Sequence, residues 1–122
     1  VRGARGRARA GRPAAALRAG FTTLTTGPDI GGSLRMPASA WGVAGYKPPH
    51  GRNPDGPPAN FDRFNHCGPL TRTIADAALM QNITPGPHAL DHDSIRNRVM
   101  LPLKSTSIHG IKIAKSLTFV YV

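Results

Sequence analysis

Apolar residues in this chain fall in short, interrupted runs, and the interruptions are as informative as the runs. Pro13 followed by Ala14, Ala15, Ala16 and Leu17, with Gly20 behind them, has the layout of a short helix. Proline is tolerated in the first turn, alanine and leucine are strong formers, and glycine suits the stop. Residues 21–26 are rich in β-branched threonine and run into Gly27 and Pro28, a strand entering a turn. Residues 37–44 predict a second short helix. Residues 73–83 predict the best one, because Thr73 can cap it, Asp76 sits in its first turn, and Ile74, Ala77, Ala78, Leu79 and Ile83 form its apolar face. Between these helices, residues 47–69 are proline-rich and short of large apolar side chains, which predicts a surface loop. Late in the chain Ile111, Lys112, Ile113 and Ala114 alternate as a half-buried strand, and residues 117–122 predict another. Helix, strand, glycine loop and helix in that order is an α/β pattern.

Composition narrows this further. Glycine (14) and proline (12) are too frequent among 122 residues for a helical bundle or a coiled coil. The single cysteine, Cys67, cannot close an internal disulfide, and no apolar run approaches the roughly 20 residues that span a bilayer. These features predict a soluble chain with no membrane partner, in a reducing compartment such as the cytoplasm. The formal charge of +10 points first to a polyanionic partner. Its distribution changes that picture. Arg2, Arg5, Arg7, Arg9, Arg12 and Arg18 lie in the first 20 residues, where there is no acid, and residues 21–122 keep only +4. Residues 1–12 alternate arginine with glycine and alanine and offer no apolar period, so they read as a disordered basic arm ahead of a domain at 13–122. With Val1 rather than methionine at its start, the chain reads as a piece of something longer.

The segment with the most chemistry is residues 27–52. Gly31 and Gly32 ahead of Ser33 let the backbone turn tightly and aim successive N–H groups at one place, which suits an anion or a developing oxyanion. A bare Gly-Gly-Ser is also compatible with an ordinary turn, and its surroundings decide between the two. Asp29-Ile30-Gly31-Gly32-Ser33-Leu34-Arg35-Met36-Pro37-Ala38, then residues 42–52 (GVAGYKPPHGR), then residues 68–73 (GPLTRT) stand in an order and spacing that resemble the amidase signature family. The resemblance extends over residues 13–122, including Ile108 to Ala114 near the end.

That resemblance implies an α/β fragment of the amidase signature fold, a mixed β-sheet flanked by helices. It implies a serine nucleophile at Ser33 that attacks a carboxamide carbonyl and forms an acyl-enzyme. Ile30, Gly31 and Gly32, with the N–H of Ser33 itself, would form the oxyanion hole, and Asp29 and Arg35 would brace the loop through charged hydrogen bonds. The family's base is an unprotonated lysine that works through a second serine on a cis peptide bond, both upstream of the nucleophile. Lys47, Lys104, Lys112 and Lys115 all follow Ser33, and Lys47 matches the family's Lys-Pro loop, so none of them is that base. The bridging serine should fall at about Arg9, where the chain has only arginine, alanine and glycine, the residues a Gly/Ser-rich coding stretch yields when read in another frame. Residues 1–12 therefore also read as a frame-shifted start, and the isolated chain is expected to be inactive or nearly so. The implied substrate is a small-molecule amide, with no cofactor and no metal, and the oligomeric state is left open. The loop at residues 48–65 looks closer to stand-alone amidases than to the amidotransferase branch.

Other candidates carry less. Cys67 has no orienting partner in the pattern and reads as a small apolar residue. His88 and His92, flanked by Asp91 and Asp93, would bind a metal only on a helix, and Pro85 and Pro87 argue for a solvated loop. Trp41 reads as core packing. The rival function is nucleic-acid binding through the basic arm on a non-catalytic fragment, although the arm lacks the aromatics that stack on bases.

Overall fold

The structure, a computed structural model, describes residues 11–104 and 107–113. Most of the basic arm and the strand expected at 117–122 lie outside these residues. Helix α1 spans Gly11–Arg18, starting two residues ahead of Pro13. Past its end Gly20 N–H donates to the Leu17 carbonyl (3.1 Å) and Phe21 N–H to that of Ala16 (2.9 Å), which satisfies carbonyls the last turn leaves open. Strand β1 is Leu24–Asp29, three residues later than the threonine pattern suggests. Gly27 and Pro28 belong to it because its pairing continues to Asp29 opposite His66. Helix α2, Arg35–Trp41, closes with a bond from Val43 N–H to the Ala38 carbonyl (3.0 Å) and leads into the two-residue strand β2, Ala44–Gly45. A single 3-10 turn at Ala59–Phe61 interrupts the long loop. Strand β3, His66–Thr71, then leads into helix α3, Ile74–Ile83. Thr73 caps α3 as expected, its Oγ1 accepting from Asp76 N–H at 3.1 Å.

Three strands form one sheet in the order β1-β3-β2, with both pairings antiparallel. Helices around a sheet make this an α/β fragment; among the described residues no parallel pair is present to make the sheet mixed. The centre of the sheet is β3, most of which lies in the stretch expected to be a surface loop. Gly68 and Pro69 look like strand breakers in the sequence, yet both fit here. Pro69 has no N–H to satisfy, and its carbonyl accepts from Tyr46 N–H at 3.1 Å. At Gly68 a Cβ would run into the Tyr46 carbonyl and the Pro48 ring, so only glycine lets the chain leaving β2 pass this close.

Side chains alternate along β3. Leu70 joins Leu17, Leu34 and Ala38 in the core under α1 and α2, with Val43 packed against them. Pro69, on the other side of the pleat, lines a cleft with Asn53, Cys67 and Thr84 at the end of α3. The buried face of α3 is Ala77, Ala78, Gln81 and Asn82, whereas Ile74, Leu79 and Ile83, expected on that face, are exposed. Polar pairing explains the difference. Gln81 and Asn53 exchange amide hydrogen bonds of 2.7 and 3.1 Å, and Asn82 exchanges two with the Leu101 backbone, 2.7 and 2.9 Å. Trp41, expected in the core, is half exposed, since α2 reaches the core through Ala38 and the preceding Leu34. Ile111 and Ile113 are exposed and in no strand.

Candidate functional site

The loop joining β1 to α2 carries Ile30, Gly31, Gly32 and Ser33, and Asp29 organises it from the end of the strand. Its carboxylate is fully buried and accepts five hydrogen bonds: from the N–H groups of Gly32 (2.6 Å), Leu34 (3.3 Å) and Arg35 (3.2 Å), and from Arg35 Nε (2.9 Å) and Nη2 (3.1 Å). An acid this far upstream serves as the cap of α2, supplying acceptors to N–H groups that a helix start leaves orphaned. Burial by itself would push the Asp29 carboxyl up. The hydrogen bonds from Arg35 and Gly32, together with the guanidinium charge, more than offset burial and hold it well below the usual carboxylate range. Gly32 has φ of 102°, a left-handed conformation that favours glycine, and this geometry turns its N–H toward the carboxylate.

Ser33 is half-buried, and its hydroxyl donates to the Pro28 carbonyl at 2.6 Å. Among the described residues no side chain accepts that proton, and no described acceptor pairs with the N–H of Gly31 or Ser33. Ile30 and Gly31 are exposed at the tip of the loop. The Gly32 N–H, expected among the oxyanion donors, is already engaged by Asp29.

Lys47 reaches this loop from the segment after β2. Its ammonium donates to the carbonyls of Ile30 and Phe64, both at 2.9 Å, and lies 3.5 Å from Asp29 Oδ1. The Lys-Pro motif marked the residue, but nothing in the sequence placed its ammonium against a carbonyl 17 positions upstream.

The remaining candidates serve the loops. Cys67 is half-buried in β3, and burial with the neighbouring Asp55 carboxylate pushes its thiol up to about 11, the reverse of what a thiolate nucleophile needs. His88 pairs with Asp91 in a turn, and the buried Asp91 carboxylate accepts from the N–H groups of Asp55 (2.9 Å) and Asp93 (3.2 Å). His50 lies 3.3 Å from His66 and 3.2 Å from Asp93, tying two loops to the start of β3. Among the described residues no group of three or more His, Cys, Asp or Glu side chains is arranged to hold a metal ion, and no helix is long and apolar enough to cross a membrane.

A family model described as Amidase matches residues 10–122. A glutamyl-tRNA(Gln) amidotransferase subunit from Acinetobacter baumannii (strain AYE) is 36% identical over 107 residues, 84% of this chain and 22% of its own length. The corresponding subunit from Bacillus velezensis is 40% identical over 107 residues, again 22% of its length. Among solved structures, a bacterial aryl acylamidase of the amidase signature enzymes superposes with a TM-score of 0.65 at 36% identity, covering 71% of this chain and 18% of that one. The glutamyl-tRNA(Gln) amidotransferase subunit from Thermotoga maritima superposes with a TM-score of 0.62 at 34% identity, covering 71% and 20%. The chain thus spans about a fifth of the length of the curated relatives it matches. Both an acylamidase and amidotransferase subunits are among these relatives.

Proposed function

The chain belongs to the amidase signature family of amide-hydrolysing enzymes, and we propose that it carries that family's nucleophile and oxyanion loop, with Ser33 as the attacking group. The substrate class is a small-molecule carboxamide. The observation that carries this reading is the loop itself, in which a buried Asp29 holds Gly32, Leu34 and Arg35 by their N–H groups and sets Ser33 beside the undonated N–H of Gly31.

In the forward reaction Ser33 Oγ forms a bond to the carbonyl carbon, the carbonyl electrons move to its oxygen, and the hydroxyl proton leaves for a base. The oxyanion is met by the N–H groups of Ile30, Gly31 and Ser33, each worth about 3 kcal/mol where alignment is good. Gly32 contributes by shaping the turn, since its own N–H is spent on Asp29. Collapse breaks the C–N bond, the proton passes to the leaving amine, and water then cleaves the ester. Asp29 and Arg35 support the loop and take no part in proton transfer.

A base is the part these residues do not supply. The Ser33 proton rests on the Pro28 carbonyl, which cannot remove it, and Lys47 is turned to the carbonyls of Ile30 and Phe64. The isolated chain is therefore expected to turn over amides no faster than background. Two measurements test this reading: labelling of Ser33 by an excess of fluorophosphonate serine-hydrolase probe, slow because only the oxyanion donors promote it and lost in Ser33→Ala, and steady-state amide hydrolysis. Turnover well above background that Ser33→Ala abolishes would overturn the inactivity, and a probe adduct on a residue other than Ser33 would overturn the choice of nucleophile.

A further inference from the structure

Lys47 is a largely buried cation whose bonds the reaction above does not use. Its ammonium has three N–H donors, and two of them meet main-chain carbonyls, Ile30 and Phe64, at 2.9 Å. The Asp29 carboxylate lies 3.5 Å away on the same side. The Ile30 carbonyl and the Gly31 N–H belong to one peptide unit, and in a trans peptide they point in opposite directions across a rigid plane. Whatever holds the carbonyl therefore aims the N–H. Here the carbonyl is bonded to the ammonium, so the Gly31 N–H points away from it, and Gly31 is exposed with no described acceptor for that N–H.

We infer that Lys47 is a positioning residue: by gripping the Ile30 carbonyl it fixes the Ile30–Gly31 peptide plane and so keeps the Gly31 N–H directed at the oxyanion site beside Ser33. Without that grip the peptide is free to rotate. It would then present a carbonyl where a donor is needed, a change repulsive to an oxyanion. The second bond extends the grip to residues 62–66, because Phe64 sits on the same ammonium. The loop that begins β3 is thereby coupled to the nucleophile loop. The catalytic consequence rests on the Ser33 reading; the orientation of the peptide does not.

The test is NMR on the isotope-labelled chain. In Lys47→Met the Ile30 carbonyl carbon should move upfield and the Gly31 amide cross-peak should shift, while signals of core residues such as Leu17 and Leu70 stay in place. Lys47→Arg, which keeps the charge and donors, should bring both signals back toward the original positions. Unmoved Ile30 and Gly31 signals in a folded Lys47→Met chain would overturn the inference. Should that variant fail to fold, the unaltered chain decides. A scalar coupling between Lys47 Nζ and the Ile30 carbonyl carbon is expected across the hydrogen bond, and its absence overturns the inference. Probe labelling of Ser33 separates this from the nucleophile reading. Where Ser33 labels, Lys47→Met should slow the reaction by about tenfold, less than the roughly 10²–10³ of a deleted oxyanion donor. A probe adduct on a residue other than Ser33 sinks the nucleophile reading and leaves the carbon and amide shifts to decide for Lys47.

Discussion

Asp29 accepts from three backbone N–H groups and one guanidinium while sealed from solvent, so its charge is held by the fold. Its carboxyl binds a proton more weakly in the folded chain than in the unfolded one, where the ordinary value is near 3.8. Asp29 therefore contributes stability in full above about pH 4, and the contribution drains away as pH falls below that value. In Asp29→Asn this acid-dependent component should vanish. The substitution should also cost about 3 kcal/mol at neutral pH, because the amide presents donors to N–H groups and leaves Arg35 without its partner. Urea unfolding at pH 7 and pH 3 checks both; equal pH sensitivity in the two chains would contradict the assignment. The motif marked Asp29, Ser33 and Arg35 by position. Which N–H groups the carboxylate would bind was not legible, since that depends on how the Gly32 turn folds back on the strand end.

At the scale of elements, helix α3 shows how far a pattern of apolar residues can be trusted. Its start was readable because capping is local: Thr73 and Asp76 are three residues apart and need nothing else. Its buried face was not. Ala77 and Ala78 are small enough to pack closely on the sheet, and the next turn is held by the amides of Gln81 and Asn82, whose partners Asn53 and Leu101 are 28 and 19 positions away. The expected consequence inverts ordinary hydrophobic reasoning. Gln81→Ala should cost about 1–3 kcal/mol by removing a buried amide that exchanges two hydrogen bonds with Asn53, whereas Ile83→Ala, on a residue 70% exposed, should change stability by no more than about 0.5 kcal/mol. Thermal unfolding of the two variants side by side decides this. Strand β3 teaches the same lesson from the other direction. Gly68 and Pro69 are poor strand residues by local preference, and β1 and β2 on either side override it.

At the scale of the molecule, the core formed by the described residues is small. Leu17, Leu34, Ala38 and Leu70 form its buried centre, and Leu70 stands on the central strand beneath both α1 and α2. Large apolar side chains are exposed elsewhere, among them Phe21, Ile74, Phe64 and Ile83. With so few buried contacts the folded state has little margin. Leu70→Ala, which opens a cavity where helices and sheet meet, should cost about 3 kcal/mol. That loss should abolish the cooperative unfolding transition in near-ultraviolet circular dichroism; a transition with an unchanged midpoint would show that the core lies elsewhere.

What the amino-acid sequence determined by itself was local. Helix stops, the Thr73 cap and the tight Gly31-Gly32 turn depend on residues within a few positions of each other, and those interactions form whatever the rest of the chain does; the three elements that mark the family were legible from their residues and order alone. Tertiary structure decided which strand is central, which face of α3 is buried, that Gly32 gives its N–H to Asp29, and where Lys47 places its ammonium. Each of these joins groups distant in the chain or depends on how a turn seats against its neighbours. Their energies come from excluding water around polar partners that become neighbours only once the sheet has formed.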